Sequence, residues 1–358
     1  MNRDFHFGII YIVARVAGLS GKDAQVVAHA CQYVDDSTVS GVLHFAAGQT
    51  YERFASAHSM LDYRNFRNRA DKLVWAPFHF VPGGVGLDFE ERTTCRADSP
   101  IARRMMQRAI DARSRPNALH RLGVTLHAYV DTWAHQGFIG VISDLNVVHD
   151  LERFDRRPRS LLKIALGSWT LIRDLVKRMI VNFFLRLGHG AALHHPDLPW
   201  LHWRYVNGKG VRISRENLDQ FVRAADAAHR AIVAYRTGVP DFTFAPGLPA
   251  DVADALRRLM RDNRAEEEDE RLAVIARALA AGAIPSLAEE LPPYAAKGVG
   301  SWKHEATGLA TAGADHTLRP PWTPDFETSH YRMFHDALKE HRFELMHEIL
   351  PSFGLRLA

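Results

Sequence analysis

Cysteine is scarce in this sequence, with only Cys31 and Cys95 among 358 residues. Two cysteines cannot build a disulfide framework or a thiolate zinc site, so a bound metal would need nitrogen and oxygen ligands. Long uncharged apolar runs are missing as well, because even the most hydrophobic later segment, 161–187, contains six Lys, Arg or Asp residues. That many charges argue against a membrane span and favour an amphipathic helix packed on the core, with a membrane-surface helix as the alternative.

A strong excess of one charge sign is also absent. The chain has 45 Lys and Arg against 41 Asp and Glu, and its pI is near 9.1. This balance is compatible with phosphate-bearing substrates but lacks the basic excess typical of nucleic-acid-binding proteins. Asp4, His6 and Arg15 interrupt the first apolar run, and no secretory signal is recognisable. We therefore expect a cytoplasmic protein without a transmembrane segment, with export by a signal-independent secretion system as the alternative.

Histidine, in contrast, is abundant, with 20 residues, and three potential ligands form the row His127-Ala-Tyr-Val-Asp131-Thr-Trp-Ala-His135. In a helix, each step of four residues advances about 40° around the axis, so the three side chains share one face. A buried His/Asp/His row without a metal would carry a large desolvation cost unless the carboxylate were paired. The row therefore indicates a metal site in which Asp131 bridges two cations and each histidine anchors one of them.

Helical periodicity dominates the chain and strand alternation is scarce. We predict an all-α, multi-helical, single-domain fold with long connecting loops. Residues 1–240 would form a metal-binding catalytic core, and residues 241–358 a C-terminal helical extension packed on it. Proline and glycine bracket residues 75–84, which predicts a loop presenting His79. The predicted helices span 5–18, 21–34, 99–113, 117–135, 160–187, 214–237, 249–261, 266–281 and 329–350.

A second histidine cluster follows the 160–187 segment. His189 lies between two glycines, which allow close backbone approach, and we predict that it is a metal ligand. His194 and His195 are expected to be ordinary surface histidines. Prolines fix the exit of this segment and predict a turn.

The order of these residues resembles the zinc-dependent phospholipase C and single-strand-specific nuclease superfamily. An uncharacterised bacterial family resembles residues 1–240 more closely, but no activity can be carried over from it. The phrases that carry the resemblance are Asp4-Phe-His6, Gln32-Tyr-Val-Asp35-Asp36, Pro77-Phe-His79-Phe, Leu126-His-Ala-Tyr-Val-Asp131-Thr-Trp-Ala-His135-Gln-Gly-Phe138 and Gly188-His-Gly.

The superfamily resemblance implies an all-helical fold around two or three Zn²⁺ ions, with Mn²⁺ or another divalent metal as the alternative. The implied ligands are His6, Asp35 or Asp36, His79, His127, the bridging Asp131, His135 and His189. Two positions depart from the superfamily pattern. Met1 replaces a processed N-terminal tryptophan that binds zinc through its amine and carbonyl, so Asp4 would have to substitute. Leu193 occupies the place of the last acidic ligand, so Asp197 or His194 would have to substitute.

The resemblance further implies a metal-dependent hydrolase of phosphodiesters or other phosphate esters, phospholipase C-like, using a metal-activated water. Asp36 or Asp35 would orient this water and accept its proton, because one of the adjacent pair can bind metal while the other stays outside the ligand sphere. Phospholipid is the favoured substrate and nucleic acid the less favoured one. The alternatives are a single-strand nuclease-like phosphodiesterase, a histidine/aspartate phosphohydrolase using His149-Asp150 or His335-Asp336, and a noncatalytic metal-stabilised binding protein.

Overall fold

Two long helices pack against each other at the centre of the structure. The computed structural model describes residues 1–58, 71–154, 186–311 and 318–357. The central pair is α2 (Gly21–Asp36) and α6 (Ala118–Ala134), and a π-helix (Asp4–Ile9) with α1 (Ile10–Val16) precedes them. The remaining α-helices are α3 (Ala76–Phe78, after a π-helical turn Asp71–Trp75), α4 (Phe89–Thr93), α5 (Pro100–Asp111), α7 (Asn217–Thr237), α8 (Ala250–Asp262), α9 (Glu268–Ala280), α10 (Trp302–Thr307), α11 (His330–Phe343, continued by a π-helical segment Glu344–Ile349) and α12 (Leu350–Ser352).

The start of α2 shows why the chain turns helical at that point. Ser20 has an extended backbone, and its hydroxyl accepts a hydrogen bond from the amide of Asp23 at 3.1 Å. This N-cap satisfies one of the free amides of the first turn, and Asp23 places a negative charge at the positive end of the helix dipole. The predicted helix from residue 21 is thus confirmed, and it extends two residues further than expected, to Asp36.

Gly123 allows α6 to approach α2 unusually closely. A Cβ atom at this position would lie 2.4 Å from the carbonyl oxygen of Val27 and 2.7 Å from the Cβ of Ala30. Only a residue without a side chain fits, so the two helix backbones are in direct contact. His127 lies one turn after Gly123, and its height relative to α2 is therefore fixed by backbone packing.

The predicted all-α fold is wrong, because the structure contains two antiparallel sheets and is a mixed helix-and-strand fold. The first sheet is a hairpin of β1 (Gly41–His44) and β2 (Thr50–Arg53). The second has the order β3-β4-β5, built from β3 (Val148–Arg153), β4 (His202–Asn207) and β5 (Arg212–Glu216). The strands have four to six residues, so their alternation of buried and exposed positions is too brief to stand out in a sequence dominated by helical periodicity.

Two other predictions need correction near these sheets. The helix expected from residue 214 begins at Asn217, because Arg212–Glu216 pairs with β4 as a strand. The loop expected over 75–84 contains the helical turn Ala76–Phe78, and His79 directly follows that turn. The helix predicted over 160–187 lies almost entirely outside the described residues.

The main hydrophobic core joins the two ends of the chain. Phe5, Tyr129 and Phe221 belong to the same buried cluster as Leu256 and Leu345, so the C-terminal helices pack on the N-terminal ones. A smaller cluster under the three-stranded sheet includes Trp203, Tyr205, Phe138 and Phe80. This second cluster backs the histidines described below. Within the described part of the chain, no helix is both long enough and apolar enough to cross a membrane.

Candidate metal centre

The helix α6 places His127, Asp131 and His135 on one buried face, as the four-residue spacing predicts. The carboxylate of Asp131 lies at the centre of the cluster. Its Oδ2 is 3.3 Å from Nε2 of His127 and 3.5 Å from Nδ1 of His79, and its Oδ1 is 3.2 Å from Nε2 of His6. A single carboxylate therefore faces residues from three separate segments, as a bridging ligand must.

The candidate ligands form neighbouring groups. Asp35, His79 and His127 offer ligand atoms within 4.8 Å of one another, and Asp131 adjoins them. His135, His189 and Asp197 form another such group. Nitrogen and carboxylate oxygen are the ligand types that zinc and similar divalent metals accept, so both groups suit a cation.

Four of the histidines hold one ring nitrogen against a backbone carbonyl. The pairs are Nδ1 of His127 with Cys31 (2.8 Å), Nδ1 of His135 with His79 (2.8 Å), Nδ1 of His189 with Leu193 (3.1 Å) and Nε2 of His79 with Ser56 (2.9 Å). A carbonyl oxygen can only accept, so the bonded nitrogen must carry the proton and donate it. In the neutral ring the opposite nitrogen is unprotonated and faces the cluster. Those of His127 and His79 lie 3.2 Å apart, and two facing lone pairs at this distance are unfavourable without a cation, so the arrangement suits a bound metal.

Electrostatics affect the buried groups of the centre differently: despite burial, neighbouring charges hold the pKa of Asp131 and of Asp197 well below the usual range, whereas burial and the nearby Asp131 raise the pKa of Asp35 well above it. Burial lowers the pKa of His6 and of His189 to about 4, so both rings are neutral at pH 7, the form that binds metals. Desolvation opposes ionisation of Asp131, but His135, the Met1 ammonium and His127 outweigh it and hold the pKa of that carboxyl well below its usual range. The centre thus combines neutral imidazoles with negative charge, which favours a cation.

The amino group of Met1 lies inside the cluster, in the place predicted for Asp4. It is 2.6 Å from Oδ1 of Asp131, 3.2 Å from Oδ1 of Asp197 and 3.5 Å from Nε2 of His135. Burial lowers its pKa, yet the surrounding carboxylates prevail and raise that pKa to about 11. A positive charge thus lies where the carboxylates converge.

Asp4 is not brought to the cluster. Its Oδ1 is 2.9 Å from Nη2 of Arg271 on α9, and both side chains are buried. Asp4 and His6 belong to the same π-helix, in which residues two apart point in different directions. His6 therefore faces Asp131, whereas Asp4 faces α9.

Asp36 also points away from the cluster. Its Oδ2 accepts hydrogen bonds from the hydroxyl of Tyr294 at 2.5 Å and from Nε2 of Gln32 at 3.2 Å. Asp35 points inwards, and its Oδ1 is 3.6 Å from Nε2 of His127. Successive helical residues differ by about 100° in direction, so only one of the adjacent pair can face α6. The structure therefore separates the two aspartates predicted as alternatives.

Asp197, one of the two residues predicted as substitutes for the last acidic ligand, is part of the cluster. Its Oδ1 lies 3.4 Å from Nε2 of His135, and its Oδ2 lies 3.7 Å from Nε2 of His189. The other substitute, His194, is exposed. Pro196 within the short 3₁₀ turn His195–Asp197 was the available signal, because it fixes the backbone that directs Asp197 inwards.

Neighbouring elements hold the ligands from behind. The guanidinium of Arg215 on β5 donates to the carbonyl oxygens of Trp133 (2.8 Å), Ala134 (3.1 Å) and Gln136 (2.8 Å), which ends α6 beside His135. These bonds satisfy free carbonyls of the last helical turn and place a cation at its negative end.

Gly188 brings His189 into position. Its φ of +54° is left-handed, and a Cβ there would lie 2.3 Å from the ring of Phe80. The same ring stacks on His135, with centroids 4.8 Å apart and planes 25° apart. Close passage of the backbone over Phe80 therefore sets the relative position of His135 and His189.

The centre is accessible on one side. The Asp35 side chain is 33% exposed, whereas the Asp131 side chain is 1% exposed. The side chain of His189 keeps 18% exposure at another edge. Solvent therefore reaches the ligand groups around a buried central carboxylate.

The fold and this site define a mixed helix-and-strand protein with a buried histidine and aspartate centre. A family model matches residues 1–349, and the chain belongs to that family, a family of unknown function (DUF6765). No curated protein and no solved structure gives a significant match. None of these comparisons links the chain to the phospholipase C and nuclease superfamily, so that resemblance stays a prediction.

Proposed function

We propose that this protein is a metal-dependent hydrolase of phosphate esters with phospholipase C-like chemistry. The observation that supports it most strongly is the orientation of the histidines. His79, His127, His135 and His189 each use one nitrogen to donate to a backbone carbonyl and direct the other towards a carboxylate of the cluster. A carbonyl partner alone is ordinary, since His229 and His341 have one outside the centre. What is typical of metal ligands is that the opposite nitrogens of four such rings face the carboxylates of one cluster.

The donor set fits divalent cations of the zinc type. Nε2 of His6 and Oδ1 of Asp197 are buried without a well-formed hydrogen bond to any described residue. Each of the two atoms instead has a charged neighbour at 3.2 Å, Asp131 for His6 and the Met1 ammonium for Asp197. Buried polar atoms without a well-formed hydrogen bond are costly, and a bound cation would remove that cost. We assign Asp35, His79, His127 and Asp131 to one ion, and His135, His189 and Asp197 to another. His6, Asp131 and the Met1 amine would hold a third once the amine is deprotonated.

The presence of at least two ligand groups around one carboxylate supports phosphate ester chemistry in particular. When bound, adjacent cations would neutralise phosphate oxygens and lower the pKa of a coordinated water. The residues of this chain supply the rest. Asp131 lies between the ligand groups. Asp35, the most exposed of the central carboxylates, would bind metal through one oxygen and use its other oxygen to orient a water molecule and accept its proton. Asp36 accepts a hydrogen bond from Tyr294 and does not orient the water molecule.

The aromatic residues beside the centre favour the phospholipase-like chemistry over the nuclease-like alternative. Phe80 stacks on His135, and the ring of Trp75 lies 5.2 Å from that of His79. Both rings pack against ligands, so their inner faces are not available for stacking on a nucleobase, which nonspecific nucleases use. The partial exposure of Asp35 supports a catalytic centre over a closed structural one, because a structural site has no need of an accessible ligand.

Metal content and phosphodiesterase activity of the purified protein test this proposal together. Two or more zinc-type ions per chain and hydrolysis of bis(p-nitrophenyl) phosphate are expected in the parent. The variant His189→Asn should lose metal and activity, and His194→Asn, an exposed neighbour on the same segment, is the matched control and should lose neither. A folded parent that stays metal-free after incubation with zinc or manganese would refute the centre. A loaded but inactive parent would leave a noncatalytic metal protein.

Substrate class is then resolved with vesicles and single-stranded DNA. Phosphatidylcholine vesicles should release phosphorylated headgroup in a reaction that depends weakly on salt. Cleavage of single-stranded DNA with a steep salt dependence, and none of the lipid, would instead establish the nuclease-like alternative.

A further inference from the structure

His6 differs from the other cluster histidines in the group that meets its second nitrogen. Nδ1 of His6 lies 3.5 Å from the thiol sulfur of Cys31, and both residues are fully buried. Each of the other four histidines meets a backbone carbonyl with the corresponding nitrogen. The difference matters because a carbonyl can only accept a hydrogen bond, whereas a thiol can weakly donate or weakly accept.

The surroundings of His6 therefore do not fix its tautomer in the form that binds metal. On its other side, Nε2 lies 3.2 Å from Oδ1 of Asp131, and a carboxylate favours a proton on the facing nitrogen. With that proton on Nε2, the thiol of Cys31 can donate to Nδ1. Metal binding at Nε2 needs the other neutral form, in which Nε2 has lost its proton, Nδ1 has gained one, and the sulfur accepts from Nδ1.

We propose that Cys31 is the positioning residue of His6, and that its thiol, by serving both tautomers, makes the ion at His6 the last to bind and the first to leave. This inference rests on the proposed metal centre. The ligand groups at His79 and His127, and at His135 and His189, are already held in their metal-binding tautomers. Among these ligands, only the imidazole of His6 must change tautomer when its metal ion binds.

A direct bond from Cys31 to a metal is the competing interpretation, since His6, Cys31 and His127 offer ligand atoms within 4.8 Å. Ring geometry argues against it. The rings of His6 and His127 stack with centroids 4.0 Å apart and planes 21° apart, so their in-plane lone pairs cannot converge on a point between them. Nδ1 of His127 is also already bonded to the carbonyl of Cys31.

The first test determines the histidine tautomers of the metal-free protein by NMR, with ¹⁵N-labelled histidine. The His6→Gln variant identifies the signals of His6. The proton should be found on Nδ1 of His127, His135 and His189 and on Nε2 of His79. His6 should show substantial protonation at Nε2 and change to the Nδ1 form only at the end of a zinc titration. A His6 ring fixed with its proton on Nδ1 before zinc is added would overturn the inference.

The second test measures zinc affinities in Cys31 variants. Cys31→Ala removes the acceptor for the polarised Nδ1–H, so the last-bound ion should weaken by about tenfold while the others are unchanged. Cys31→Ser keeps a hydrogen-bonding group and should restore most of that affinity. Cys95→Ala is the matched control, because Cys95 is equally buried, its thiol donates a weak hydrogen bond to the carbonyl oxygen of Thr132 at 3.9 Å, and it belongs to none of the ligand groups described here.

The outcomes separate this inference from the proposed function. Equal loss of all ions in Cys31→Ala, or no difference from Cys95→Ala, would overturn the positioning role. A parent that binds zinc in the expected order but hydrolyses no phosphate ester would refute only the hydrolase. A parent that binds no zinc would refute both.

Discussion

Nδ1 of His127 lies 2.8 Å from the carbonyl oxygen of Cys31, so a peptide group of α2 orients a ring carried by α6. Because the acceptor belongs to a helix backbone, its position depends on how closely the two helices approach. Gly123, one turn before His127, sets this distance. The metal centre therefore depends on helix packing as well as on the ligands themselves.

Gly123→Ala tests this dependence. The added Cβ would lie 2.4 Å from the carbonyl oxygen of Val27, so α6 must move away from α2. We expect a loss of about 1–3 kcal/mol in the free energy of unfolding, measured by urea denaturation, together with lower metal content. Gly21→Ala is the control, since its nearest neighbour would be the Tyr11 hydroxyl at an ordinary 3.6 Å. Equal metal content in both variants would contradict the packing argument.

Asp131→Asn should lose metal, whereas Asp4→Asn should lose stability and keep its metal. Asp131→Asn removes the carboxylate shared by the ligand groups, so metal should be lost and activity should fall by about 100-fold or more. Asp4→Asn leaves Arg271 buried without its anionic partner, at 2.9 Å in the parent, and should cost about 3–5 kcal/mol of stability. Asp4→Asn should melt at a lower temperature than the parent, but at temperatures where it is still folded it should keep its metal. Loss of metal from Asp4→Asn at low temperature would restore Asp4 as a ligand.

Zinc should stabilise the folded protein. The ligand atoms come from distant parts of the chain and converge only in the folded state, so binding is linked to folding. At free zinc about 100 times the dissociation constant, the gain is about 2.7 kcal/mol per site, visible as a higher melting temperature by calorimetry. A chelator should reverse the shift. An unchanged melting temperature with zinc present would show that the centre does not bind it.

As the pH decreases from neutral, the free energy of unfolding of the metal-free protein should decrease because of histidines outside the centre. Burial lowers the pKa of His29 to about 3, against an ordinary value of 6.5. Between pH 6.5 and pH 3, His29 is therefore protonated in the unfolded chain but neutral in the folded protein. Its contribution to stability is fully present above about pH 6.5 and is lost as the pH falls towards 3. Each such histidine contributes up to about 1.4 kcal/mol per pH unit.

His29→Phe isolates one of these contributions. The His29 ring stacks on Trp302 with centroids 3.8 Å apart, and its Nε2 has no hydrogen-bond partner among the described residues, so phenylalanine can replace it without losing a bond at that atom. Urea denaturation between pH 4 and 6 should give a shallower pH dependence in the variant. If the free energy of unfolding changes with pH equally steeply in the parent and in His29→Phe, His29 does not cause this pH dependence.

The parts of the centre that could be predicted from sequence are those set by local periodicity. The shared face of His127, Asp131 and His135 follows from helical geometry alone, and the turn around His189 was signalled by glycines. The choice between Asp35 and Asp36 depends on the rotation of α2 against α6, which no local pattern encodes. The partner of Asp4 is 267 residues away in sequence, so its ion pair could not be foreseen.

The strands cannot be predicted from the sequence for a related reason. β4 alternates between buried and less buried residues, with Trp203 and Tyr205 pointing into the core, and this period of two is visible in the sequence. Its partners, however, come from both sides along the chain, with β3 about fifty residues earlier. A short strand is stable only when it is paired, so its formation depends on contacts that a local window does not contain.

The bonds from Arg215 to the end of α6 join the three-stranded sheet to the metal centre. A local opening that separates β5 from β4 would also free the carbonyls of Trp133 and Ala134, and with them the backbone that carries His135. The sheet and the final turn of α6 should therefore open and close as one cooperative unit. Loading the centre should then slow amide exchange in β4 and β5, strands that bear no ligand of their own.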